Sequence, residues 1–410
     1  MISGDIDKTF FQFKEIDMHK KLPFVLVVII IASILLNPII STTTKQTIYA
    51  CSLTIKSLVL FLLPFIIFGL LFKTFIKLAH NAVSVICLIF GCLCLSNFIN
   101  TFLTHYVGSL FYFFDFDLGN KIIIEKTLTP YFSFEFPCII KNEFALFGGI
   151  FSGIGAALLL DKKASEKLAE KTDKIIQSLF KFISVLIPLF IVGFVIKCAS
   201  ENTLVSMMKN YSFVFILFFF YASLYTFLFY FLVAKGNLHK CIKYIKNMIP
   251  AFVTAVSTIS SALTMPVTIM CAEKNATNKG LAGSIISATV NIHLLGDCLG
   301  IPLLAYALLK HYGLEEPSFG TYFIFTIFFV IAKFSVAAVP AGGIIVMTPI
   351  LEKYLNFSPD MSSLIIAIYV IFDPIITGFN VLGNGALAKL IDTLYLCFET
   401  NVLKKQPMEK

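Results

Sequence analysis

Long apolar stretches, two of them interrupted, constrain this chain more than any other feature. Lipid offers no hydrogen-bond partners, so a stretch that enters it must be helical. A break is tolerated only where protein or water receives the freed backbone groups. One stretch breaks at Thr258-Ile259-Ser260-Ser261-Ala262-Leu263-Thr264-Met265-Pro266, another at Ala337-Ala338-Val339-Pro340-Ala341-Gly342-Gly343. A third stretch carries Asp373, Thr377 and Asn380 inside an otherwise apolar run. Breaks of this kind leave backbone groups free to hold a solute, and a carboxylate at that depth marks a functional site.

Composition agrees with a lipid setting. The 410 residues are 58% hydrophobic with a mean hydropathy of +0.89. Only 14% are charged, against about 25% in soluble domains. The net charge of +8 comes mostly from loop lysines, and without a clustered basic face it points to no nucleic-acid partner. The sequence contains no arginine, so no side chain offers the planar fork that grips a carboxylate.

A membrane-spanning helix needs about 20 apolar residues. Eight spans are read at 22–40, 48–72, 82–114, 145–160, 175–196, 211–234, 281–309 and 362–398. The broken stretches are 249–271 and 322–351. Cytoplasmic loops are enriched in lysine. Lys20 and Lys21, Lys73 and Lys77, Lys162 to Lys174, Lys235 to Lys246, and Lys404 and Lys405 all fall on one side if both termini are cytoplasmic. This count closes only if each broken stretch enters and leaves on the same side. The chain therefore reads as an all-α polytopic membrane protein of the cell membrane, plasma or inner. It has eight transmembrane helices and two opposed re-entrant helical hairpins, the product of an inverted repeat. Gly148, Gly149, Gly153 and Gly155 in the fourth span fit close helix packing.

Asp373, Thr377 and Asn380 are spaced i, i+4, i+7 and share one helical face. The carboxylate suits an ammonium, and the hydroxyl and amide suit a carboxylate. A free α-amino acid carries both groups. The plain alternative is a polar stripe sealing helix contacts. Ser260 and Ser261, at a hairpin tip, offer hydroxyls and backbone N–H groups to an anion at a helix N-terminus. His293 and Asp297 are i, i+4 in the seventh span with Asn291 nearby. Such a pair relays protons or forms a static contact. Lys333 either snorkels or pairs with a carboxylate.

These motifs resemble the dicarboxylate/amino acid:cation symporter family, the glutamate transporter fold. Ala251-Phe252-Val253-Thr254 with Ser260 to Thr268 is similar to its first hairpin. Val339-Pro340-Ala341-Gly342-Gly343 is similar to the tip of the second. Asp373, Thr377, Asn380 and Gly383 are similar to the pattern of the eighth helix. The resemblance implies a homotrimer in the bilayer that works as an elevator, with a moving transport domain in each protomer. Residues 1–21 would be a cytoplasmic segment and 22–246 mainly scaffold, with the third and sixth helices as candidates for the transport domain. Residues 247–398 would form the transport core and 399–410 a cytoplasmic tail. Asp373 would bind the substrate amino group. Thr377, Asn380 and Ser261, beside Ser260, would bind its carboxylate. Val339, Ala341 and Gly343 would line the gate. Asn291, His293, Asp297 and Asn384 stand as candidate coupling-ion or proton positions.

The departures point elsewhere than acidic substrates and sodium. Where acidic members place an arginine, this chain has Ile376 or Ile259. Where sodium-binding carboxylates are expected, it has Tyr369, Asn384 and His293. The resemblance with these changes implies a secondary transporter of a small neutral amino acid with a degraded sodium site, run by protons or by exchange, with no cofactor. The alternatives are a dicarboxylate or acidic amino-acid symporter that uses Lys333, a non-transporting solute sensor, and an intramembrane hydrolase built on Ser261 and His293.

Overall fold

A computed structural model describes residues 32–33, 35–79, 83–114, 128–137, 139–140, 142–201, 204–336 and 341–403. Its helices run in the order α1 (Thr42–Ala79), α2 (Val83–Phe113), α3 (Asn142–Leu159), α4 (Lys162–Ser200), α5 (Leu204–Val233) and α6 (Leu238–Thr258). They continue with α7 (Ser261–Glu273), α8 (Lys279–Thr289), α9 (Leu295–His311), α10 (Phe319–Ala332), α11 (Gly342–Tyr354) and α12 (Pro359–Leu403). A short 3-10 turn, Lys333–Ser335, follows α10. Segments at Thr42–Lys73, Leu88–Phe113, Tyr211–Val233 and Pro359–Leu396 are long and apolar enough to cross a membrane. Those at Phe147–Leu159, Pro188–Lys197 and Phe319–Ser335 are apolar but shorter. The expected first span lies mostly outside the described residues, as do the terminal segment 1–21 and most of the 399–410 tail.

The helices pack in two groups. In the first, α1 lies against α3 and α4. Small residues make this possible. A Cβ added at Gly149 or Gly153 would stand 2.7 Å from the carbonyl oxygens of Phe68 and Phe72, so the α3 backbone rests directly on α1. Gly155 faces open space and has no such role. The outer side of α3 leaves Phe144, Phe151 and Leu158 at least 70% exposed, an apolar face fit for lipid or for another copy of the chain.

In the second group, α9 is buried along nearly all its length between α2 and α12. α10 also lies on α2, and α5 and α6 pack on α12. Aromatic contacts fix the α5 and α6 seams. Phe215 meets Phe372 with ring centres 4.8 Å apart, and Phe252 meets Phe379 at 5.7 Å. The Tyr230 hydroxyl donates to the Leu382 carbonyl at 2.8 Å.

Both broken stretches fold as helix pairs, α6 with α7 and α10 with α11. α6 ends at Ile259, in the left-handed region at φ 48°, and Ser260 caps α7 by accepting from the Leu263 N–H. α11 begins after Ala341, also left-handed at φ 58°. Residues 337–340, which include Val339, lie outside the described residues.

One expectation is corrected. The stretch 281–309, read as a single span, is two helices, α8 and α9, parted at 290–294. No glycine or proline marks this break. Its cause is tertiary. The Ile292 and His293 N–H groups both fold back onto the Thr289 carbonyl at 2.8 Å. The Ile292 carbonyl accepts from Asn97 Nδ2 of α2 at 3.0 Å, which satisfies a group that a buried break would otherwise strand.

Candidate functional site

The tips of both helix pairs, the break before α9 and the middle of α12 border one partly open cavity. Ser260 and Ser261 line it from the first tip and Gly343 from the second. Asn291 and Asp297 border it from the break, and Tyr369, Asp373, Thr377 and Asn380 from α12. Four parts of the chain far apart in sequence thus contribute polar groups to one space. His293 and Asn384 do not line it.

Asp373 is 5% exposed and keeps both carboxylate oxygens occupied. Oδ2 accepts the Ala341 N–H at 2.8 Å, and Oδ1 accepts the Thr377 hydroxyl at 3.1 Å. The first bond ties α12 to the start of α11. A carboxylate there also suits the partial positive charge of a helix N-terminus. Neither partner is a cation, so the carboxylate retains its capacity for an ammonium. Asn380 Oδ1 accepts the Asp297 N–H at 3.2 Å, which joins α12 to the first turn of α9.

At the first tip, hydroxyls close on each other. Thr258 Oγ1 and Thr264 Oγ1 are 2.9 Å apart, and the Thr264 hydroxyl lies 2.9 Å from the Ser260 carbonyl. Ser260 and Ser261 therefore start α7 from a stitched turn. The first turns of α7 and α11 border the same cavity, a setting favourable to a bound carboxylate.

The expected His293–Asp297 pair does not form, because the break removes the helical turn that would bring them together. His293 Nε2 instead meets Ser96 Oγ of α2 at 2.9 Å. Ser96, not Ser261, is thus the serine at this imidazole, and the hydrolase pairing is not assembled. Asp297 Oδ1 accepts the Tyr369 hydroxyl at 2.6 Å, and Oδ2 lies 3.2 Å from the Lys333 ammonium. Lys333 is fully buried, so it pairs rather than snorkels. Asn384 is also fully buried; its amide donates to the Asn380 carbonyl at 3.0 Å and its Oδ1 accepts from Thr289 at 3.3 Å. It braces α12 against α8.

Two participants escaped sequence reasoning. Tyr369 was noted only as a lost carboxylate, yet it borders the cavity and holds Asp297. The other is a stripe on α2, Asn97, Asn100, Thr101 and Thr104, all fully buried. Its i, i+3, i+4, i+7 spacing inside an apolar run was the available signal. Among the described residues, buried atoms of Asn100, Thr101, Asn291, His293 and Ser335 have no hydrogen-bond partner.

Comparison with known proteins agrees with this architecture. Residues 144–394 match the family model described as "Sodium:dicarboxylate symporter family". Human excitatory amino acid transporter 1 is 29% identical over 168 residues, 41% of this chain and 30% of that protein. Mouse excitatory amino acid transporter 5 is 28% identical over 167 residues, 40% of this chain and 29% of its own length. The excitatory amino acid transporter of Caenorhabditis elegans is 27% identical over 165 residues, 40% and 32% of the two chains. The aligned stretch thus spans about a third or less of each relative. The family match runs over more than half of this chain and takes in both helix pairs and most of α12: the chain belongs to the sodium:dicarboxylate symporter family.

Proposed function

We propose that the chain is a secondary active transporter of a small neutral amino acid, working without sodium in the cell membrane. One observation carries this reading: Asp373 borders a cavity in which no lining residue is cationic. The carboxylate suits an α-ammonium. Thr377, Asn380, Ser260, Ser261 and the start of α11 suit an α-carboxylate. A second carboxylate, on the substrate side chain, would find no arginine, lysine or histidine there. Lys333, the anchor that an acidic substrate would need, faces Asp297 instead. The excitatory amino acid transporter relatives are named for amino acids, which supports an amino-acid substrate.

Sodium requires several hard oxygen ligands. The lining carboxylates are Asp297 and Asp373, and each already has protein partners. His293 and Asn384 occupy positions at which the resemblance implies carboxylates. A proton gradient or amino-acid exchange then drives transport. The helix pairs act as opposed re-entrant hairpins of an elevator-type carrier. α1, α3 and α4 serve as scaffold and trimer contact, and the exposed aromatic face of α3 supports that use.

Proteoliposomes loaded with choline in place of sodium, under an imposed pH gradient, give the test. The expected outcome is uptake of a labelled neutral amino acid that follows the pH gradient or internal amino acid. Uptake that requires sodium would overturn the coupling. Binding with no uptake under any gradient would make the chain a sensor.

A further inference from the structure

Lys333 is unusual among the lysines of this chain. It ends α10, a helix that carries no other charge, and it is 0% exposed. Its ammonium stands 3.2 Å from Asp297 Oδ2 and 4.5 Å from the centre of the Phe329 ring. Asp297 is only 2% exposed. The turn that bears Lys333 is clamped on its neighbours. Phe334 stacks on Phe90 of α2 at 5.1 Å and meets Phe75 of α1 at 6.2 Å. The side chain thus has no route to water, and its charge is balanced inside the protein.

The pair links three elements. Lys333 belongs to the second helix pair, and Asp297 lies in the first turn of α9. The Tyr369 hydroxyl ties the same carboxylate to α12. Gly343, near the start of α11, completes the seat: a Cβ there would stand 2.8 Å from both Asp297 Oδ2 and the Tyr369 hydroxyl. A monovalent cation on Asp297 therefore fastens the second tip to the body that carries Asp373.

An ammonium and a sodium ion carry the same charge and both seek oxygen. They differ in that one is covalently attached and cannot leave. We infer that Lys333 is a tethered cation that takes, on Asp297, the place of a dissociable coupling cation, and so makes the protein indifferent to sodium. This deepens the transport reading and rests on it for the word coupling. Of the two carboxylates that line the cavity, Asp297 is already neutralised and Asp373 is left for the substrate ammonium. The unpartnered buried oxygens among the described residues, on Asn100, Thr101, Tyr211, Thr226, Asn291 and Ser335, are uncharged.

Thermal unfolding of the purified full-length protein reads cation binding without any transport. Wild type, Lys333→Ala, Lys333→Arg and the double variant Lys333→Ala/Asp297→Asn are compared in sodium, lithium, potassium and choline chloride at equal ionic strength. A ligand that binds the folded state raises the midpoint in a saturable way. The wild type and Lys333→Arg are expected to show the same midpoint in all four salts. Lys333→Ala is expected to gain several degrees in a small alkali cation over choline, and the double variant is expected to lose that gain. A sodium-dependent rise in the wild type would overturn the inference. So would a Lys333→Ala protein that ignores every alkali cation. Should Lys333→Ala aggregate in choline, its recovery in sodium or lithium is the expected result, and aggregation in all four salts counts against the inference. Amino-acid uptake by the wild type is measured on the same preparation. Its absence would remove the transport reading and leave the cation result standing.

Discussion

The tips of the two helix pairs solve the same problem in different ways. Each brings a helix N-terminus to the cavity behind a residue in the left-handed region, Ile259 at one and Ala341 at the other. The first tip closes on itself. Thr258, Thr264 and Ser260 bond to one another within seven residues of chain. The second is fastened to other parts of the molecule: Ala341 to Asp373, Lys333 to Asp297, and Phe334 to Phe90 and Phe75. A tip held by local bonds keeps its shape whatever the cavity contains. A tip held by two carboxylates beside the cavity responds to whatever competes for them. In the proposed cycle the second tip serves as the gate and the first as the wall.

The contrast can be broken at three points. Asp373→Asn has the largest expected effect. It removes the charge that the ligand ammonium needs, and loss of one partner of a buried charged pair typically costs about 3–5 kcal/mol. Amino-acid affinity, measured by calorimetry, should fall by about two to four orders of magnitude. Near-wild-type affinity would take Asp373 out of the site. Gly343→Ala comes next. The added methyl cannot fit where a Cβ would be 2.8 Å from Asp297 Oδ2, and overpacking costs about 1–3 kcal/mol. Both the thermal midpoint and the affinity should drop. An unchanged protein would mean that the second tip is not seated on Asp297. Thr264→Val is the smallest. It removes hydroxyl contacts at the first tip, each worth about 0.5–1.5 kcal/mol. The midpoint should fall by a few degrees while affinity stays put. If affinity fell as far as in Gly343→Ala, the distinction between wall and gate would be lost.

Legibility followed the same line. The first tip could be placed from sequence because serine caps and the flanking threonines act over a few residues. The face formed by Asp373, Thr377 and Asn380 followed from helical spacing alone, and the three do border one cavity. The break at 290–294 could not be read. Val290, Ile292 and Leu294 are as apolar as any span, and the group that satisfies the break, Asn97, comes from α2. The partner of Lys333 was hidden for a similar reason. Asp297 precedes it by more than 30 positions, and the spacing of His293 and Asp297 advertised a pairing that needs a helix where none exists. Residues whose partners lie within a turn were visible; those whose partners come from another helix were not.

The bond from the Ala341 N–H to Asp373 bears on the return half of a carrier cycle. In the proposed cycle this backbone group holds the start of α11 to the carboxylate without calling on an ammonium, so the gate can be held down by the main chain itself. A carrier that closes only around cargo is bound to one-for-one swapping. One that also closes when vacant can reset alone, which permits net accumulation. In counterflow experiments this would appear as efflux that continues into an amino-acid-free bath.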